Sequence, residues 1–222
     1  MCGRYNLEQT TEVDQILRQH GFSGEFRPAY NIAPTEFAPI IVQDRHRASE
    51  IIPARWWLTP SWSDGPTQKF AMFNARSENL TTSRAFKGPF EHKRCVVVAS
   101  SFIEWRKEGS HKQAYDVAIE GQALAMAGIW DCWQDGDNLL YSFAIVTKPA
   151  SHSFRDYHSR MPVLLRRSEV TQWIDPHRTG RDAVPLIDNA IGDGWCLNPL
   201  DSSVGNARNK SRPLPLPNQS LF

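Results

Sequence analysis

The chain has few of the features that announce a function by composition. Its four cysteines, Cys2, Cys95, Cys132 and Cys196, are scattered over 222 residues and no CxxC pair occurs. A structural zinc site or a thioredoxin-type motif is therefore disfavoured, and neither a metal nor another cofactor is expected. Charge of one sign is not in excess: 25 Lys and Arg against 24 Asp and Glu leave a formal net charge of +1. Any surface for a polyanion must then be local. No apolar run is long enough to span a bilayer. The opening MCGRYNLEQTTEVDQ lacks the basic-then-apolar pattern of a secretory signal. These absences make a cytoplasmic protein with free thiols the expectation, with no membrane partner. Neither an internal repeat nor a linker is visible, so one domain over 1–222 is expected, a length that buries a sizeable core.

Hydrophobic residues at 41% and charged residues at 22% are ordinary for a globular protein. Residues 10–20 read as an amphipathic helix capped by Thr10 or Thr11 and ended by Gly21, with Val13, Ile16 and Leu17 on one face. Strand-like runs follow at 38–42, 50–58, 95–100, 114–119 and 139–147, rich in β-branched and aromatic residues. Cys95 opens the run CVVVA and reads as a core residue. A short helix is expected within 77–86, and another from Ser168 towards Trp173, before Pro176. The tail from about 197, rich in Pro, Asn and Ser, reads as irregular. The pattern predicts an α+β fold built on antiparallel sheet.

Cys2 is the most informative residue. Methionine before a small residue is generally trimmed, and trimming would leave Cys2 with a free α-amine beside a thiol. Such a 1,2-aminothiol condenses with an aldehyde to an imine, and its thiol then closes onto the same carbon to give a thiazolidine. Ring closure is intramolecular and therefore fast. An α-amine titrates at about 7.7–8.0, so part of it is nucleophilic near neutrality. Taken alone, a cysteine at position two is weak evidence.

Other blocks join it: Met1-Cys2-Gly3-Arg4-Tyr5, Tyr30-Asn31-Ile32-Ala33-Pro34, Phe73-Asn74-Ala75-Arg76-Ser77-Glu78, Ser101-Phe102-Ile103-Glu104-Trp105, Ile145-Val146-Thr147, His158-Ser159-Arg160-Met161-Pro162-Val163 and Val204-Gly205-Asn206. Together, in this order, they resemble the SOS-response-associated peptidase (SRAP) family, whose members crosslink to abasic DNA. The resemblance runs from residue 2 to about residue 206. It implies a single α+β domain with a curved, barrel-like antiparallel sheet and peripheral short helices, the tail after about 207 being irregular. It implies a site in which Cys2 sits beside Asn74, Glu104 and His158. It also implies a partner, single-stranded DNA carrying abasic sites, shielded by a monomeric protein during the DNA damage response. Lyase and autoproteolytic peptidase character belong to the same expectation.

The residues suit that chemistry. An abasic sugar is mostly a closed hemiacetal, and opening it requires proton transfer at the ring oxygen. Glu104, flanked by Phe102, Ile103 and Trp105, is a candidate acid in an apolar setting, although a strand-edge carboxylate is an equally ordinary reading. His158 has an intrinsic pKa near 6.5, suited to moving protons. The other six histidines read as surface or structural. Asn74 offers an amide to orient the Cys2 amine, or else serves a turn. Arg4, Arg76, Arg84 and Arg160, with Pro34, Trp62 and Thr147, are the candidate DNA contacts, since guanidinium groups hold phosphate in bidentate fashion. Each arginine could equally be solvated, and Arg76 or Arg160 could pair with Glu78. Trp62, after Pro60 and Ser61, is expected on a loop, where it could stack on a base or wedge a duplex end. Trp56 reads as core and Trp57 partly so.

Two departures stand out. Family members often have Trp-Gly where this chain has Trp56-Trp57, and a second aromatic where it has Ser63. Two other readings compete. A Cys2–His158 pair oriented by Asn74 could run thiol (auto)proteolysis. A non-covalent single-stranded DNA-binding module would use the same arginines and tryptophans with Cys2 idle.

Overall fold

Alternation of β-branched and aromatic residues sets the architecture. The computed structural model describes residues 3–46 and 48–216. In chain order the strands are β1 (Tyr5–Leu7), β2 (Ala29–Ile32), β3 (Phe37–Gln43), β4 (Ser49–Trp56), β5 (Asn74–Arg76), β6 (Arg94–Ala99), β7 (Ser101–Glu108), β8 (His111–Ile119), β9 (Leu124–Asp135), β10 (Asn138–Pro149), β11 (Arg160–Pro162), β12 (Leu164–Leu165) and β13 (Trp195–Pro199). The α-helices are α1 (Thr11–Gln19), α2 (Lys87–His92), α3 (Val170–Ile174) and α4 (Gly180–Asp188).

β4, β3, β6, β9 and β10 pair in that order, and a parallel contact of β10 with β4 closes them into a five-stranded barrel. Closure removes the exposed edges that an open sheet would carry. Trp56 and Phe143 stack inside it with ring centroids 6.3 Å apart, both fully buried. β9 comes close to its neighbours at Gly128, where a Cβ would stand 2.8 Å from Cys95 Sγ and 3.3 Å from the Ala144 carbonyl. No larger residue fits that seam. β5 and β11 extend the far end of β10. The second sheet, in the order β13-β8-β7-β1-β2, is antiparallel throughout. The chain passes from barrel to sheet at Ser100, which bonds the Asn6 carbonyl and the Glu8 N–H.

Much of the expected local structure is present. Thr10 caps α1 by accepting from the Val13 N–H at 3.3 Å, and Gly21 follows the helix at φ +92°. Cys95 is fully buried, and burial pushes its thiol pKa well up. Other expectations need correction. The strand predicted over 50–58 stops at Trp56, because the Trp57 N–H turns back to the Arg55 carbonyl at 2.8 Å. Residues 77–86 hold only a 3-10 turn at Ser77–Asn79, and the helix starts at Lys87. The tail is not irregular from 197: Trp195–Pro199 is β13, paired with β8. β1, β2, β5, β7, β9, β11 and β12 lie outside the predicted runs; the start of β9, Leu-Ala-Met-Ala-Gly, has weak strand propensity, and packing decides it.

Arg94 is the main polar anchor of the helices. It is 3% exposed, and its guanidinium donates to the carbonyls of Phe90, Glu91, Trp173, Asp175 and Arg178 at 2.6–2.9 Å. These bonds tie α2 and α3 to the barrel without a paired carboxylate in the set.

Candidate functional site

Glu104 is placed by the pairing of β1 with β7. Tyr5 lies opposite Phe102 and Asn6 opposite Ser101, and the Ile103 N–H donates to the Arg4 carbonyl at 2.9 Å. The same register carried back runs Gly3 beside Glu104. Cys2 lies outside the described residues. Glu104 is 4% exposed, and its Oε1 accepts the Trp105 N–H at 3.2 Å.

Side chains alternate along a strand, so Phe102, Glu104 and Arg106 share one face of β7. The segment 151–158, between β10 and β11, packs over that face. Phe154 meets Phe102 with centroids 5.8 Å apart, and Tyr157 meets Tyr115, the cross-strand partner of Glu104, at 5.0 Å. The Arg106 guanidinium lies 5.0 Å from both tyrosine rings. Glu104 thus sits between two aromatic contacts made by one segment, and that segment ends in His158. The His158 Nδ1 accepts the Arg160 N–H at 2.9 Å. The same Nδ1 also lies 3.1 Å from the Arg160 carbonyl, so the Arg160 backbone fixes the ring's orientation through Nδ1.

Asn74 arrives from the barrel side. It starts β5, opposite Ile145 of β10, and is 8% exposed. The Phe73 carbonyl before it accepts from the Ile145 N–H at 3.0 Å and from Trp56 Nε1 at 2.8 Å. The Trp56 ring stands 5.1 Å from Tyr5 and 6.2 Å from Phe73. The strand leading back to Cys2 is therefore bracketed by β7 with Glu104 on one side and by the Trp56–Phe73 contact, next to Asn74, on the other.

The candidate DNA contacts divide. Arg84 and Trp62 form an exposed pair, the guanidinium 4.0 Å from the indole centroid and Trp62 52% exposed. Trp62 lies on a turn, as expected. Arg76 is exposed and has no ion pair among the described residues. Arg160 is committed: it pairs with Glu78 and donates to the Thr147 carbonyl at 2.6 Å. That pairing holds the Glu78 carboxyl well below its ordinary range, at about 2. Thr147 is fully buried, so its part is to support Arg160 rather than to meet a strand. Arg4 is half-buried 5.9 Å over the Trp105 ring, and burial lowers its pKa. Pro34 is half-buried in a turn whose next residue, Thr35, has φ +80°.

Several groups support the site through contacts that spacing along the chain does not reveal, although Asn31 and Val204-Gly205-Asn206 stand out as motif blocks. Asn31, buried at φ +50°, donates its amide to the carbonyls of Val204, Asn206 and Asn209, and Lys210 bonds the Asn31 carbonyl and Glu36. These contacts fasten the Val204-Gly205-Asn206 block to β2. Asp131, 3% exposed, accepts from Ser61 N–H and Lys93 at 2.8 and 2.6 Å and so fixes the Trp62 loop. Each partner is distant in sequence. Among the described residues no cluster of His, Cys, Asp or Glu could hold a metal, and no helix is long and apolar enough to cross a membrane.

Comparison with known proteins identifies the family and the fold. Residues 1–207 match the SOS response associated peptidase (SRAP) family. Abasic site processing protein YoaM of Bacillus subtilis is 32% identical, over 96% of this chain and 97% of its own. Abasic site processing protein HMCES of Gallus gallus is 31% identical, over 94% of this chain and 70% of its own. A crystal structure of a Bordetella bronchiseptica protein superposes with a TM-score of 0.76 at 20% identity, covering 90% of this chain and all of that one. One from Bacteroides thetaiotaomicron gives 0.74 at 23% identity, covering 90% and 92%. That likeness establishes the fold, and the family match with the bacterial and vertebrate relatives establishes that the chain belongs to the SRAP family.

Proposed function

We propose that this chain captures abasic sites in single-stranded DNA through Cys2, exposed as the N-terminal residue by removal of Met1, and so shields the lesion. The opened sugar presents an aldehyde. The Cys2 α-amine adds to it and one water leaves, giving an imine. The thiol then adds across the C=N bond: sulfur bonds the former aldehyde carbon, nitrogen takes the proton, and a thiazolidine results. No oxidant or reductant is needed. Glu104 donates a proton to the leaving ring oxygen and accepts it back later. His158, held by the Arg160 backbone through Nδ1, serves the hydroxyl of the opened sugar. Asn74 orients the amine.

The register that sets Gly3 beside Glu104, with Tyr157 packed on the cross-strand partner of Glu104 and His158 next in the chain, carries this reading. The names of the relatives, abasic site processing proteins, support it. The test is a denaturing gel with a single-stranded oligonucleotide bearing one abasic site. The wild-type protein should give a heat-stable adduct, and Cys2→Ala should give none. Cys2→Ser should give only an imine, trapped by borohydride. A heat-stable adduct with Cys2→Ala, formed without reductant, refutes the mechanism. Cleavage of unrelated peptides with no adduct would support the peptidase reading.

A further inference from the structure

A row of side chains crosses the outside of the barrel, one per strand. Phe37 of β3 pairs with Arg55 of β4, Arg55 with Ser142 of β10, and Ser142 with Asp131 of β9. The next residues along, Trp56 and Phe143, point into the barrel, so the row faces outward. The loop after β4 lies along it: the Thr59 N–H donates to Ser142 Oγ and the Ser61 N–H to Asp131 Oδ2, both at 2.8 Å. At the Asp131 end this loop presents Trp62 against Arg84.

The other end resembles it in kind. Phe37 is 62% exposed, and Arg55 beside it has no carboxylate partner among the described residues. Arg55 Nη1 is buried without an acceptor, and burial lowers the pKa of the group with no acid offsetting it. An uncompensated guanidinium beside an exposed ring is costly unless something anionic and flat completes it. Asp131, at the opposite end, is matched by Lys93. Arg55 also lies close to the candidate centre: Trp57, two residues on, packs on Phe73 at 5.3 Å, and Asn74 follows Phe73. Three strand spacings separate Phe37 from Asp131, roughly 14 Å at about 4.8 Å each.

We propose that Phe37 and Arg55 form a second nucleotide subsite, Arg55 holding a backbone phosphate and Phe37 stacking the adjoining base of single-stranded DNA, opposite the Trp62–Arg84 platform. The proposal rests on the DNA-capture reading above.

The test uses the full chain and an undamaged single-stranded oligonucleotide, with anisotropy read across a salt series, beside adduct formation on an abasic one. Arg55→Ala should weaken binding and flatten the log–log salt slope by about 0.7, one phosphate's share on a single strand. Arg55→Lys should keep the slope. Phe37→Ala should weaken binding at least about fivefold with the slope intact, and Phe37→Trp should restore it. Phe37 is exposed, so its variants should keep the wild-type circular dichroism and Tm; Arg55→Ala removes a partly buried, uncompensated guanidinium and should leave Tm unchanged or raised. Wild-type affinity and slope in Arg55→Ala, or wild-type affinity in Phe37→Ala, overturns the subsite. Absence of a wild-type adduct overturns the capture reading instead, and the undamaged-strand series still decides the subsite.

Discussion

Replacing Glu104 with Gln tests the mechanism at its most specific point. Glutamine keeps the length and the carbonyl oxygen of the side chain, so the bond from the Trp105 N–H to Oε1, 3.2 Å in the structure, survives. The position is 4% exposed in a face packed by Phe102, Phe154 and Tyr157, and an isosteric amide fills the same space. Unfolding free energy should therefore change by no more than about 1 kcal/mol. The amide cannot deliver a proton. A positioned acid–base group contributes about 10²–10⁴-fold, or roughly 2.7–5.4 kcal/mol of barrier. Single-turnover adduct formation, with protein in excess over an abasic single strand, should slow by that factor. DNA affinity should hold, because the amide keeps the shape of the side chain and the bond from the Trp105 N–H. His158→Ala should leave capture closer to wild type and alter reversal or strand cleavage, read by chasing the adduct with excess competitor lesion. A Glu104→Gln protein that captures at the wild-type rate refutes the assignment. If His158→Ala slows capture as much and leaves reversal untouched, the division of labour is refuted.

Three further outcomes follow from the packing. Arg94→Met leaves five carbonyls of α2, α3 and the following turn without their shared donor, and should cost about 3–5 kcal/mol in urea unfolding; an unchanged midpoint would show that the helices dock by apolar contact alone. Glu78 has its carboxyl lowered to about 2 by Arg160 from an ordinary 4.5, so the pair's contribution is complete above about 4.5 and is lost as pH falls towards about 2. The side chain is half exposed, so salt weakens the effect; an NMR titration should find this midpoint low in the wild type and ordinary in Arg160→Ala, and an ordinary wild-type midpoint would contradict the pairing. Asp131→Ala releases the Ser61 N–H and Lys93, so the Trp62 loop should loosen, seen as a red-shifted, more quenchable tryptophan emission and weaker single-strand binding with Cys2 chemistry intact; unchanged emission and binding would show that Ser142, which accepts the Thr59 N–H, and Trp133, whose Nε1 donates to the Ser63 carbonyl at 2.9 Å, hold the loop without it.

The linear sequence determined what depends on local pattern and on the identity of single residues. Thr10 and Gly21 bound α1 because capping and left-handed backbone are decided within a few residues. The CVVVA and SFAIVT runs became barrel strands because both of their faces could be buried. Cys2, Asn74, Glu104 and His158 were legible as an ordered set of motifs. The tertiary structure alone decided what surrounds Asn74, Glu104 and His158, since closure of β10 on β4 and the docking of residues 151–158 on β7 are contacts between segments far apart in the chain. It also decided that Arg160 belongs to Glu78 while Arg76 faces solvent, because an ion pair is chosen by distance across the fold and not by spacing along the chain. The strand at Gly128 was invisible for the same reason: its residue is dictated by Cys95 on the neighbouring strand, 33 positions earlier, and not by any propensity of its own.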